Sequence, residues 1–280
     1  MEYHTLISAQ ELKSIIDQDN VRVFDCRFSL KDPQGGLKCY QSGHLPGAQF
    51  ADMDTQLSSP MTDTSGRHPL PEPDKFQEQL RAWGVNNDTQ VIAYDDMSGA
   101  FAARLWWMMR WMGHDKVAVL NGGMQQWTQL GLPLSQENVE YASGYFSGSA
   151  KIEWLVDIDS VQRELAANSI TLIDARAADR FTGKEKNIDP VPGHVPGAHN
   201  LPFGGNLTKE GLFERPETIR QRFDAIIQDV DSVVNMCGSG VTACHNLLAQ
   251  AVAGIPPTRI FIGSWSQWIK DPSRPLDCVD

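Results

Sequence analysis

Gly43-His44-Leu45-Pro46-Gly47-Ala48 and Gly193-His194-Val195-Pro196-Gly197-Ala198 are one hexapeptide pattern written twice, 150 positions apart, with only Leu45 exchanged for Val195. Three further matches keep the same order around them. Phe24-Asp25-Cys26-Arg27 answers to Ile173-Asp174-Ala175-Arg176. Val91-Ile92-Ala93-Tyr94-Asp95 answers to Val233-Val234-Asn235-Met236-Cys237, and Gly123-Met124-Gln125-Gln126-Trp127 to Ser264-Trp265-Ser266-Gln267-Trp268. Collinear matches whose offset drifts slowly describe a tandem duplication with loops of different length. The 280 residues suit two domains of ordinary size, with 1–134 and 151–280 as the copies and 135–150, rich in Ser, Gly, Asn, Glu and Tyr, as the linker.

Within each copy, short β-prone runs alternate with longer apolar-periodic ones. Val21–Asp25 and Thr171–Asp174, 91–94 and 232–236, and Val117–Leu120 and 259–262 read as paired strands. Residues 100–112, rich in Ala, Leu, Met and Trp, and 241–253, rich in Ala and Leu, read as helices. The alternation predicts an α/β fold: two tandem domains, each a mainly parallel sheet flanked by helices on both faces. Trp107 and Trp111 are four apart on one helix face and, with Trp106, read as core or domain interface.

Composition narrows the partners. A formal net charge of −11 disfavours nucleic acid and acidic membranes, and an anionic substrate would need a local positive site. No apolar run approaches the length of a spanning helix, and the N-terminus shows no secretory pattern. The five cysteines, Cys26, Cys39, Cys237, Cys244 and Cys278, form no C-x-x-C pair, so free thiols in a reducing, cytoplasmic setting are expected. No zinc-type ligand spacing, phosphate loop or dinucleotide fingerprint occurs; no metal and no cofactor are expected.

The segment that carries chemistry is Cys237-Gly238-Ser239-Gly240-Val241-Thr242-Ala243, between a predicted strand and a predicted helix. The first amides of a helix lack internal partners, and Gly238 and Gly240 let the backbone curl so that more N–H groups converge. Such a nest at the positive end of a helix dipole stabilises a thiolate at its lip. Cys237 is therefore the expected nucleophile. Cys244, inside the helix, is expected to be buried and inert. The first copy carries Asp95 where the second has Cys237, and a carboxylate cannot act as a thiolate nucleophile, so the first copy is expected to be catalytically silent.

At these residues the chain resembles the rhodanese-type sulfurtransferases in their two-domain form. The resemblance spans nearly the whole length and rests on both Gly-His-x-Pro-Gly-Ala motifs, the Asp-x-Arg strand ends, Arg67-His68-Pro69-Leu70-Pro71, the Cys237 loop and the Trp265–Trp268 motif. It implies a double displacement. Cys237 takes sulfur from a small-molecule donor as a persulfide, and cyanide or a thiol, thioredoxin among the possible acceptors, removes it. A loop reading Cys-Gly-Ser-Gly-Val-Thr is similar to that of 3-mercaptopyruvate sulfurtransferases, whereas thiosulfate-preferring relatives carry Cys-Arg-Lys-Gly-Val-Thr. By the same resemblance Arg180 clamps the substrate anion, with a salt bridge to Asp179 or Glu185 as the alternative reading. Gly238, Gly240, Val241 and Thr242 line the substrate, and Ser239, His68 and Asp54 form a relay. Ser239 and His68 also admit plain structural readings as loop groups satisfying nearby polar atoms.

The chain departs from that pattern twice. The loop before the second Gly-His motif, Gly183-Lys184-Glu185-Lys186-Asn187-Ile188-Asp189-Pro190, has lysines but no arginine, leaving Lys184 or Lys186 as substitutes. Gln267 stands where the family often has Glu. Three rival readings arise: a thiosulfate sulfurtransferase, a non-catalytic binding or sensor module, and a cysteine phosphatase. The last needs arginine where Ala243 stands and is set aside.

Overall fold

The computed structural model describes residues 2–185 and 188–278. It divides into two compact units. The first comprises Met1–Ser59, Pro71–Lys151 and Lys209–Phe213; the second comprises Pro60–Leu70, Ile152–Thr208 and Glu214–Asp280.

In the first unit the order is β1 (Leu6–Ile7), α1 (Ala9–Ile15), β2 (Val21–Asp25), α2 (Gly35–Ser42), β3 (Ala48–Phe50), α3 (Pro73–Ala82), β4 (Gln90–Tyr94), α4 (Ala102–Trp111), β5 (Val117–Leu120) and α5 (Gly123–Gln129). The sheet runs β1-β5-β4-β2-β3, every pair parallel. All five residues of central β4 are buried, as a strand covered on both faces requires. Ser8 caps α1 through a reciprocal capping box with Glu11, and Pro73 opens α3. Trp106, Trp107 and Trp111 are each about 2% exposed inside this unit, with Trp107 stacked on Trp111 at 5.9 Å between ring centroids. Residues 135–150 form no helix or strand beyond a single bridge between Ser135 and His44. Gly144 and Phe146 donate to the carbonyls of Arg81 and Val85, which fastens this stretch along the first unit.

The second unit repeats the plan with fewer strands: α6 (Ile158–Ala166), β6 (Thr171–Asp174), α7 (Ala178–Phe181), β7 (His199–Asn200), α8 (Pro216–Asp224), β8 (Val233–Met236), α9 (Thr242–Val252), β9 (Arg259–Ile260) and α10 (Ser264–Trp268). Its parallel sheet runs β7-β6-β8-β9. Strand β9 is shorter than the run 259–262. Phe261 still donates to Asn235, but the chain then turns into α10. The core gathers Val161, Leu172, Val195, Val234, Met236, Phe261, Trp265 and Trp268.

The duplicated motifs do the same structural work in both copies. At the end of β2, Arg27 forks onto Asp25 and donates to the Gly43 carbonyl; at the end of β6, Arg176 does so with Asp174 and Gly193. Each arginine thus ties its strand end to the following Gly-His loop. A buried pair of this kind needs all its polar atoms met to offset desolvation, and the carbonyl bond is part of that. His44 and His194 are buried, stacked on Tyr40 and Phe181, and bonded through Nδ1 to the carbonyls of those residues. Both are packing residues.

Candidate active site

Cys237 follows the last residue of β8 and is only 1% exposed. The chain then curls back over its sulfur. The backbone N–H groups of Ser239 and Gly240 point at Sγ, at 3.4 and 3.1 Å. Gly240 makes the curl possible: its φ is +77°, and a Cβ there would run into the carbonyl of Ile262. Val241 caps α9 and Thr242 begins it, so the loop delivers the sulfur to the N-terminal end of an eleven-residue helix.

The loop is held from behind by the turn into α10. Ser264 Oγ accepts from the Cys237 N–H, while Trp265 and Ser266 donate to the carbonyls of Cys237 and Gly238. Ser264 adopts φ +52°, an uncommon state for a residue with a side chain, which its two hydrogen bonds hold in place. Cys244 is fully buried and its Sγ bonds the Gly240 carbonyl, the inert setting expected of it.

The first unit contains the same nest with a different occupant. Asp95 follows β4 and is fully buried. Its two oxygens accept four backbone N–H groups, from Met97, Gly99, Phe101 and Ala102, at 2.7 to 2.9 Å. Burial, the larger influence, pushes this carboxyl up, and the four donors pull the other way. A strand, a nest of amides and a helix N-terminus therefore close around a carboxyl group in one copy and around sulfur in the other.

His68 and Ser239, 171 positions apart, meet in the second unit: Nδ1 and Oγ share a 2.8 Å hydrogen bond, and both residues are buried. Asp54 belongs to the first unit, where its N–H donates to Asp52. Desolvation and the neighbouring Asp52 charge push the Asp54 carboxyl up.

Arg180, in the short helix α7, is paired through Nε and Nη2 with Asp189, at 3.0 and 2.7 Å, and not with Asp179 or Glu185. Asp189 is the residue that sequence reasoning missed. It also faces Arg176 Nη1 at 3.6 Å and Arg67 Nη2 at 3.8 Å. Its only sequence signal was an acidic residue beside a proline in the loop already noted for its lysines. Gly238 sits directly under these cations: a Cβ there would be 2.6 Å from Arg180 Nη2 and 3.4 Å from Arg67 Nη2. Lys184 is exposed, and Lys186 lies outside the described residues. Among the described residues no group of three His, Cys, Asp or Glu could hold a metal ion, and no helix is long and apolar enough to cross a membrane.

The family model described as "Rhodanese-like domain" matches residues 8–130 and again 157–271. A protein of Pseudomonas aeruginosa described as a probable 3-mercaptopyruvate sulfurtransferase is 46% identical over 279 residues, covering 98% of each chain. The mouse thiosulfate sulfurtransferase is 32% identical over 96% of this chain and 93% of its own. Among solved structures, the 3-mercaptopyruvate sulfurtransferase from Leishmania major superposes with a TM-score of 0.84 at 32% identity, over 94% of this chain and 73% of that one.

Proposed function

The chain belongs to the rhodanese-like domain family, and from that premise we propose that it is a sulfurtransferase that takes sulfur from 3-mercaptopyruvate and passes it, as a Cys237 persulfide, to cyanide or a thiol. The observation that carries this reading is the pair of backbone N–H groups aimed at Cys237 Sγ. Fixed donors around a buried sulfur stabilise negative charge on it without reorganising, whether the charge is on the thiolate or on the persulfide it becomes.

The Cys237 thiolate attacks the donor sulfur. A sulfur–sulfur bond forms, the donor's carbon–sulfur bond breaks, and its electron pair leaves on carbon as the enolate of pyruvate, which takes up a proton. Ser239, in the Cys237 loop, and His68, hydrogen-bonded to it at 2.8 Å, are the proposed route for protons. An acceptor nucleophile then attacks the outer sulfur, and cyanide leaves as thiocyanate while Cys237 is restored. Arg180 is the proposed anchor for the donor's carboxylate, where a guanidinium fork matches the two oxygens. Asp54 stands as a proposed third member of the relay. The five free cysteines support a reducing setting.

The choice of donor rests on the loop. Residues 238–240 carry no charge, and at Gly238 a side chain would press on Arg180. The cations thus lie beside the loop, suited to a carboxylate set back from the transferring sulfur, and not in it. The test is sulfur transfer to cyanide with 3-mercaptopyruvate and thiosulfate side by side. A preference for 3-mercaptopyruvate, lost in Cys237→Ser, is the expected result. Equal or faster turnover of thiosulfate would transfer the assignment to that donor, and no turnover of either would point to a binding module.

A further inference from the structure

Three guanidiniums, those of Arg67, Arg176 and Arg180, crowd around the single carboxylate of Asp189. Arg176 has its own partner in Asp174, so the cluster holds one positive charge more than negative. This is the local cation that a chain of net charge −11 needs if it is to attract an anion. The cluster is also incompletely bonded. Arg67 Nε, Arg176 Nη1 and Asp189 Oδ1 are buried with no hydrogen-bond partner among the described residues. Buried polar atoms left in this state are costly; an anionic partner would supply acceptors for the two arginine nitrogens, while Asp189 Oδ1, itself an acceptor, has Arg67 Nη2 at 3.8 Å.

Arg67 is held there by backbone. Its N–H donates to Ser266 Oγ at 2.9 Å, and the N–H of Ser266 donates to the Gly238 carbonyl at 2.9 Å. Two hydrogen bonds thus fix Arg67 relative to the residue after Cys237. The preceding residue, Gly66, packs so closely on the backbone of Gly263 that a Cβ would be 2.9 Å from its Cα. The side chain remains partly open, at 28% exposure, while Asp189 is 5% exposed. At 3.8 Å, Arg67 touches Asp189 only as a charge, whereas Arg180 is forked onto it. Of the two guanidiniums over Gly238, Arg67 has donors to spare.

We propose that Arg67 is a second substrate-binding residue: with Arg180 it forms a two-armed site for the donor's carboxylate over Gly238, and Asp189 is the internal counter-ion that keeps both arms in place. This rests on the reading of Cys237 as the reactive thiol, but it can be tested without sulfur transfer. Iodoacetate and iodoacetamide alkylate a thiolate by the same displacement, with iodide leaving, and differ in that only the first carries a carboxylate. Their rates at Cys237, followed by peptide mass spectrometry, give a ratio that reports the anion site alone.

Arg67→Gln is expected to lower the iodoacetate-to-iodoacetamide ratio about tenfold while leaving the iodoacetamide rate within about twofold. Arg67→Lys, which keeps the charge, should retain most of the ratio. In turnover, Arg67→Gln should raise KM for 3-mercaptopyruvate about tenfold with kcat little changed. A purely structural arginine would alter both alkylation rates together. An unchanged ratio in folded Arg67→Gln overturns the proposal. If the wild type turns over neither donor yet the ratio falls in Arg67→Gln, the anion site stands and the sulfurtransferase reading fails.

Discussion

Replacing Gly240 by alanine strikes the nest at one atom. The backbone there has φ +77°, a region that costs a residue with a side chain about 1–2 kcal/mol. The added methyl would also meet the carbonyl of Ile262, so the loop must move, and the first casualty is the 3.1 Å bond from the Gly240 N–H to Cys237 Sγ. A hydrogen bond to a charged group contributes about 1.5–3 kcal/mol. At about 1.4 kcal/mol per tenfold, its loss should slow single-turnover persulfide formation about 10- to 150-fold. The comparison that isolates this is Gly254→Ala, at the end of the same helix. Its φ is +69°, but nothing lies within 4 Å of the new methyl, so it carries the backbone strain without touching the sulfur. Gly254→Ala should lower Tm by a few degrees and leave the rate alone. If Gly240→Ala keeps its rate within twofold while its Tm falls no further than that of Gly254→Ala, the amide–sulfur contact is not what stabilises the anion.

His68→Gln and Ser239→Ala should each reduce kcat/KM, and the double variant should lose less than the two losses combined, with a coupling of about 0.5–1.5 kcal/mol for their 2.8 Å bond; additive losses would mean that the bond has no part in turnover. In the first unit, Asp95→Asn turns an NH2 group toward backbone donors that had a carboxylate oxygen to bond, so denaturant unfolding should show a loss of about 1–3 kcal/mol. An Asp95→Asn protein as stable as the parent would show that this nest does not depend on its anion.

How much of this was legible in the sequence depended on how local the cause was. The duplicated strands announced themselves through β-prone runs and collinear motifs, because a strand buried on both faces needs continuous apolar residues. The Cys237 loop was readable because two glycines between a strand and a helix leave the backbone few other ways to run. Strands β1 and β7, at two residues each, are too short to have a period and exist only because a neighbouring strand offers its edge. The ion-pair cluster was hidden for a different reason. Arg67 and Asp189 are 122 positions apart, and neither residue type nor spacing predicts that segment 60–70 groups with the second unit. Charged side chains in loops have no periodicity to betray their partner, so beside its reading as a substrate clamp the sequence offers Arg180 only the nearby acids Asp179 and Glu185.

The two nests together explain how the first copy keeps the same turn with Asp95 in the place of Cys237. Converging amides at a helix N-terminus are costly to bury unless something negative satisfies them. Asp95 meets them with its own side chain, with four donors on two oxygens, and the strand–loop–helix turn keeps its shape without any bound group. In the second copy the donors converge on a single sulfur, with the N–H groups of Gly240 and Ser239 at 3.1 and 3.4 Å. Longer, fewer bonds to a larger atom leave the anion less completely bonded than a carboxylate would be. If Cys237 is the nucleophile proposed above, the difference is chemical as well as structural: a carboxyl group with four donors on two oxygens is a weak nucleophile held in place, whereas a thiolate held by two amides would be stabilised and still able to attack.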